Sequence, residues 1–366
     1  MILALFLGAL VLLFVIGVPA AFALGLTTLI VTVWERGFDN IPYTIIAQRM
    51  VYGVNSFPLL AIPFFILAGK IMNTGGITDR IYDFAHRLAG HMRGGLGQVE
   101  IKAMRGAGYP DDFSVGVTAA SATIGPIIPP SIPLIVYAVM ANTSATALLI
   151  AGILPGVLMG VLMMIVVAFQ ARRRNIRTEP WEGAAALFWS FVFALPPLIT
   201  PVIIIGGMWT GVFTPTEAAA VAALYALVIA MIFYREMSIA QFVKLLRETM
   251  HETAIILIII AAAALYAWFL VFTQIPQELV GLVKELNFGP VMFLLVINLF
   301  LLLIGLFMET NAAITIFTPM LLPPAIALGV DPVHFGISMV LNLCLGSSRR
   351  RSAWCFSRSQ RWPMSR

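Results

Sequence analysis

The sequence predicts an all-α, polytopic integral membrane protein, and three observations carry that prediction. Residues of the AVILMFWYC set fill 60% of the 366 positions and charged residues only 11%, more apolar material than a water-soluble surface can hide. These apolar residues gather into roughly ten stretches of near membrane-spanning length, with nearly all the charge in the short segments between them. Within two of the apolar regions, prolines cluster far from any charge, which predicts broken helices and re-entrant hairpins inside the protein.

The elements follow in chain order. The first apolar run, Met1 to Val33, has no Lys or Arg before it and reads as one retained helix, although Ala21-Phe22-Ala23 imitates a signal-peptide cleavage site. Further spans are expected at Phe57–Met72, Val115–Met140, Ala145–Gln170, Ala184–Met208, Glu217–Tyr234, Thr253–Phe272 and Val291–Met308. An interrupted apolar region follows from Ala312 to Leu328. The last apolar stretch, Phe335–Leu345, is too short to span unaided. Two connectors, Ile77–Met92 and Met237–Met250, place apolar residues at helical spacing among charges and read as amphipathic helices lying along the membrane surface. The basic run Arg172–Arg177 follows a strong span and, by the positive-inside rule, faces the cytoplasm.

Charge and cysteine usage exclude other classes. The net charge is +5, but Ser347–Arg366 holds six Arg and no acid; without it, 16 basic residues face 17 acidic ones, a net charge of −1. Nothing in that balance supports a nucleic-acid partner. Cys344 and Cys355 suit neither a disulfide framework nor a metal site. His86 and His91 lie in an amphipathic segment, His251 at a span entrance and His334 in a loop, so no His pairs with an Asp inside a span and the chain does not read as an enzyme.

The most informative segment is SATIGPIIPPS at 121–131. Pro126, Pro129 and Pro130, with Gly125, cannot sit in an uninterrupted helix, because each proline lacks an N–H and clashes with the preceding turn. Carbonyls freed at membrane depth are tolerated only inside protein or along a cavity, where they face a cation or a substrate. Ser121, Thr123 and Ser131 add hydroxyl oxygens of the hard kind that Na⁺ prefers. A second constellation, Glu309-Thr310-Asn311, continues through Thr315, Thr318-Pro319 and Pro323-Pro324. An acid between two apolar segments is a functional candidate, since an unpaired buried charge is costly; the alternative is a helix end near the headgroups. The two regions read as copies. Gly108 to Phe113 precedes the first break, and Gly329 to Phe335 precedes a stretch leading through Asn342 to Gly346, a repeat pattern that places a site near the bilayer midplane.

These residues resemble the large membrane (permease) subunit of tripartite ATP-independent periplasmic (TRAP) transporters. The matching strings are GGL at 94–96, EIKAM at 100–104, SATIGPIIPPS, GVFTPTEAAAVAALYA at 211–226, METNAAI at 308–314 and DPVHFG at 331–336. The resemblance implies inverted repeats and an elevator-type, Na⁺-coupled importer of small organic acids, such as C4-dicarboxylates or sialic acids, in the bacterial inner membrane. It implies two protein partners, a small membrane subunit and a periplasmic substrate-binding protein, and no cofactor beyond Na⁺ as coupling ion. The expected Na⁺ ligands are Ser121, Thr123, Gly125, Thr310 and Asn342, with Pro126, Pro129, Pro130, Ser131, Glu309 and Asn311 completing the site.

Two departures from the family stand out. An apolar, Gly- and Ser-rich arm is missing between Val99 and Glu100, and after Gly346 a family break gives way to SSRRRSAWCFSRSQRWPMSR. The resemblance therefore divides the chain into an incomplete permease domain, 1–346, and a non-family tail, 347–366, expected to be disordered. A non-transporting remnant that still inserts in the membrane is the alternative function, and another ion-coupled organic-anion transporter ranks below it.

Overall fold

A computed structural model of the chain describes residues 2–89, 111–173, 183–285 and 289–359. All regular structure among them is helical. The opening run is two helices, α1 (Ile2–Val15) and α2 (Ala20–Arg36), rather than the single helix expected from Met1 to Val33. Gly17, at φ +89°, stops α1: its N–H bonds to the Phe14 carbonyl and that of Val18 to the Leu13 carbonyl, a Schellman closure only glycine adopts readily. Pro19 then caps the start of α2.

After a 3₁₀ turn at Phe38–Asn40 comes α3 (Tyr43–Val54), a helix the periodicity did not announce. A second 3₁₀ turn, Phe57–Leu60, leads into α4 (Ala61–Thr74). The amphipathic segment expected at Ile77–Met92 is α5 (Ile77–Ala89), and residues 90–92 lie outside the described set. The junction of Val99 with Glu100 and most of the basic run after Arg173 also lie outside it. The expected span Val115–Met140 is two helices, α6 (Asp111–Ser121) and α7 (Ile132–Met140), separated by turns. Helices α8 (Ala145–Ala151) and α9 (Ile153–Arg173) meet at Gly152.

Next come α10 (Ala184–Trp209) and α11 (Pro215–Val228), which runs on as a π turn at Ile229–Phe233. Helix α12 (Ile239–Phe272) corrects the expectation of a surface helix followed by a separate span: the two are one helix of 34 residues. Its start is fixed by a capping box between Ser238 and Gln241, and no Gly or Pro interrupts it. At 1.5 Å per residue it is about 51 Å long, well beyond the ~30 Å hydrocarbon core. Lys70 on α4 pairs with Glu252 (2.9 Å) and Glu248 (3.5 Å) on its polar first part.

The last elements are α13 (Ile275–Glu285), also unannounced, then α14 (Pro290–Gly305), α15 (Thr310–Ala327) and α16 (Pro332–Ser359). One further expectation fails here. The region expected to be interrupted between Ala312 and Leu328 is helical through Pro319, Pro323 and Pro324, ending only where Gly329 closes α15 in a second Schellman turn. Helix α16 runs past Gly346 as backbone helix to Ser359; no Gly or Pro follows Gly346 before Pro363, and each added residue extends a helix already nucleated. Residues 360–366 lie outside the described set.

Helix α12 is the central post, packing against α2, α3, α4 and α15. Phe6 of α1 packs tilted on Tyr266 and stacked on Phe269 of α12, with ring centroids 4.5 and 5.5 Å apart. In a bilayer, where apolar lipid weakens the hydrophobic drive between helices, close backbone approach matters more. Small residues allow it: a Cβ at Gly75, which follows α4, would lie 2.5 Å from Ala230 Cβ, and one at Gly53 of α3 would run into Ala264 of α12. Six helical segments among the described residues are long and apolar enough to cross a membrane, and Ala20–Glu35 and Pro290–Gly305 are shorter apolar helices. The chain is a multi-pass membrane protein.

Candidate functional site

The first break is built from its own hydroxyls and from two glycines elsewhere. Helix α6 ends at Ser121, whose Oγ donates to the Thr118 carbonyl (3.0 Å), while Thr123 Oγ1 donates to the Ala120 carbonyl (2.7 Å). Each hydroxyl spends its proton on the backbone and keeps lone pairs to offer. Residues 122–130 run as turns and bends, as the prolines dictate. Pro126, Pro129 and Pro130 have no N–H with which to engage the carbonyls of Ala122, Gly125 and Pro126 in a helical ladder. Ser131 repairs one loss and starts the next helix: its Oγ donates to the Pro126 carbonyl and accepts from the Leu134 N–H (3.3 Å) as the N-cap of α7.

The turn region rests on Gly152 and Gly156. A Cβ at Gly152 would lie 2.6 Å from the Ile127 carbonyl, and one at Gly156 would run into the side chain of Ile128. Sequence reasoning passed over this pair, yet its Gly-x-x-x-Gly spacing is the signal of close packing that could have found it.

The second constellation is arranged differently. Glu309 is exposed and caps α15, with Oε2 accepting from the Ala312 N–H (3.0 Å) and Oε1 from Asn311 Nδ2 (2.9 Å). It is therefore not a buried charge awaiting a ligand, and a carboxylate at a helix N-terminus needs no other explanation. Asn311 keeps its Oδ1 buried and without a hydrogen-bond partner. Thr315 and Thr318 are fully buried and bond to the Ala312 carbonyl and to Met339 Sδ. Asn342, 9% exposed, donates Nδ2 to both Asn298 Oδ1 (2.8 Å) and the Ser338 carbonyl (2.7 Å). Asn298 is the one strongly polar side chain in α14, a signal that went unread. Just beyond, α14 and α16 cross at two glycines: a Cβ on Gly346 would lie 2.6 Å from the Leu302 carbonyl and 2.7 Å from Gly305 Cα.

The helices bearing these groups adjoin. Both α6 and α7 pack on α16, and α7 packs also on α15, so the elements holding Ser121–Ser131 lie beside those holding Thr310, Asn311 and Asn342. Among the described residues, no group of three or more His, Cys, Asp or Glu could hold a metal ion.

This arrangement belongs to a chain whose residues 7–103 and 96–348 match the family described as "Tripartite ATP-independent periplasmic transporter, DctM component". The chain belongs to that family. It is 40% identical over 325 residues to the sialic acid TRAP transporter large permease protein SiaM of Vibrio cholerae, covering 82% of this chain and 76% of that one. It is 38% identical over 366 residues to the 2,3-diketo-L-gulonate large permease YiaN of Escherichia coli (93% and 85% covered). To the C4-dicarboxylate large permease DctM of Pseudomonas aeruginosa it is 40% identical over 315 residues (79% and 74% covered).

For a TRAP large permease, the family strings at 121–131 and 308–314 fall on the two constellations just described. The two family matches overlap at 96–103, the stretch that contains the junction of Val99 with Glu100. The match runs on to residue 348, two residues past Gly346.

Proposed function

We propose that this chain is the permease subunit of a Na⁺-coupled secondary transporter that imports a small organic acid across a bacterial inner membrane. Under this reading a periplasmic binding protein delivers the acid, a C4-dicarboxylate, sialic acid or similar carboxylate, and a small membrane subunit completes the complex. The observation that carries the reading is the opened backbone between α6 and α7, with hydroxyls at its margins, in a chain of the TRAP permease family. Na⁺ enters as co-substrate and favours hard oxygen ligands. Ser121, Thr123 and backbone oxygens near Gly125 supply them on one side, and Thr310, Asn311 and Asn342 on the other; the unpartnered Oδ1 of Asn311 is a donor of the required kind. Na⁺-dependent uptake into vesicles containing both partner proteins tests the reading. Ser121→Ala with Thr123→Val is expected to weaken Na⁺ dependence while expression and insertion persist. Unchanged Na⁺ dependence would assign these hydroxyls a structural role.

A second reading has its own observation. The family match comes in two pieces that overlap at the junction of Val99 with Glu100, which supports the loss of a family arm there. In an alternating-access carrier both halves must close around the ligand, and a hairpin with one arm missing cannot hold its backbone oxygens in place. The chain as written would then insert without transporting. Uptake measured side by side for this chain and for one with the arm restored separates the two readings: activity in both favours transport, and activity only in the restored chain favours the remnant.

A further inference from the structure

Tyr137 is among the largest fully buried side chains, and neither reading above gives it a role. It stands on α7, six residues beyond the Ser131 cap. Its phenolic O–H donates to the carbonyl of Pro332, the first residue of α16, at 2.8 Å across 195 positions of sequence. One helical turn further, its ring lies over Gly336, where any Cβ would run into Cε1 of the ring. Pro332 and Gly336 are four residues apart and so share one face of α16. The phenol thus grips α16 twice, by a directional bond and by a fit that only glycine permits. Helix α15 packs on both α7 and α16, and Thr318 of α15 reaches Met339 of α16, so the three helices close on one another. The segment at one end of this linkage is the opened backbone of 121–131; at the other is the helix carrying Asn342.

We infer that Tyr137 is a positioning residue: through Pro332 and Gly336 it sets the spacing between the two halves of the candidate site. The inference rests on the reading of those halves as one site. The test uses the full chain in lipid nanodiscs, with Cys344→Ala and Cys355→Ala, and spin labels on Ala122→Cys and His334→Cys, both at exposed positions. Double electron–electron resonance then reads the distance distribution between the break and the start of α16. Tyr137→Phe, which keeps the ring and removes the bond, is expected to broaden the distribution, and Gly336→Ala to shift its mean. Tyr266→Phe is the control, since that tyrosine is equally buried but its hydroxyl has no partner. The inference is overturned if Tyr137→Phe leaves the distribution as narrow as in the parent, or if Tyr266→Phe broadens it as much. Should Gly336→Ala fail to fold, Tyr137→Phe decides alone. The readout needs neither Na⁺ nor substrate, so failed uptake counts against the transport reading only, and an unaltered distribution counts against Tyr137 only.

Discussion

Segment 121–131 carries Pro126, Pro129 and Pro130, and segment 310–327 carries Pro319, Pro323 and Pro324, in each case an adjacent pair preceded by a third proline. The first opens into turns and the second stays helical. Each interior proline costs a helix about 3 kcal/mol, so the proline count alone does not separate them. Local sequence contributes part of the difference. In the first segment Gly125 and the β-branched pair Ile127-Ile128 are weak helix formers, and Ser131 provides a ready restart. In the second, Met320, Leu321, Leu322 and Ala325 are strong ones. Surroundings contribute the rest. Helix α15 is buried from Ala312 to Thr318 and enclosed by α7, α12, α13 and α16, whereas Gly125 is exposed and a Cβ there would meet nothing closer than 3.9 Å. Packing thus offsets missing hydrogen bonds in α15, whereas residues 122–130 pack as turns against Gly152 and Gly156 with Gly125 left exposed.

Four changes would break or sharpen this contrast, taken from the largest expected effect to the smallest. Replacing Pro126, Pro129 and Pro130 together by Ala is expected to close the break into helix. Hydrogen–deuterium exchange between Ala122 and Ser131 is expected to slow as the short turn bonds of Thr123, Ile124 and Ile127 give way to a continuous helical ladder; unchanged exchange would show that surroundings rather than prolines hold the segment open. Gly346→Ala places a methyl between the backbones of α14 and α16 and is expected to destabilise the chain by ~1–3 kcal/mol, read as a lower Tm in detergent. An unchanged Tm would mean that the crossing is looser than its geometry implies.

Ser131→Ala removes the cap of α7 and the bond to the Pro126 carbonyl, for an expected loss of about 1 kcal/mol. Chemical denaturation monitored by circular dichroism would detect it, and a loss below a few tenths would show that α7 starts without its cap. Pro319→Ala is the mildest. It restores a helical N–H at a partly exposed position of α15, but the regained part of the ~3 kcal/mol helix cost is offset by a freer unfolded chain and lost ring contacts, so a net change below about 1 kcal/mol is expected. A large loss would reveal that the proline itself shapes the helix.

Much of the site was legible because its signals are local. A proline cannot donate a hydrogen bond wherever it stands, so the opening at 121–131 follows from the residues present, as do the hydroxyls that border it. The sequence left two readings of Glu309 open because an acid between apolar runs looks the same whether buried or capping a helix; only the positions of the Ala312 and Asn311 nitrogens distinguish them. Asn298 and the pair Gly152 and Gly156 carried signals that were overlooked, while Tyr137 carried none, since its partner Pro332 is 195 residues away.

The sequence by itself determined the membrane-embedded, helical character of the chain, its family and the place of the first break, all consequences of composition, motif or backbone chemistry within a few residues. Tertiary structure decided what local sequence left open: the enclosure that lets α15 keep three prolines, the bracing of residues 239–272 by Lys70, and the reach of Tyr137 to α16. Those outcomes depend on neighbours distant along the chain, whose packing and hydrogen bonds are stronger than the local preferences they override.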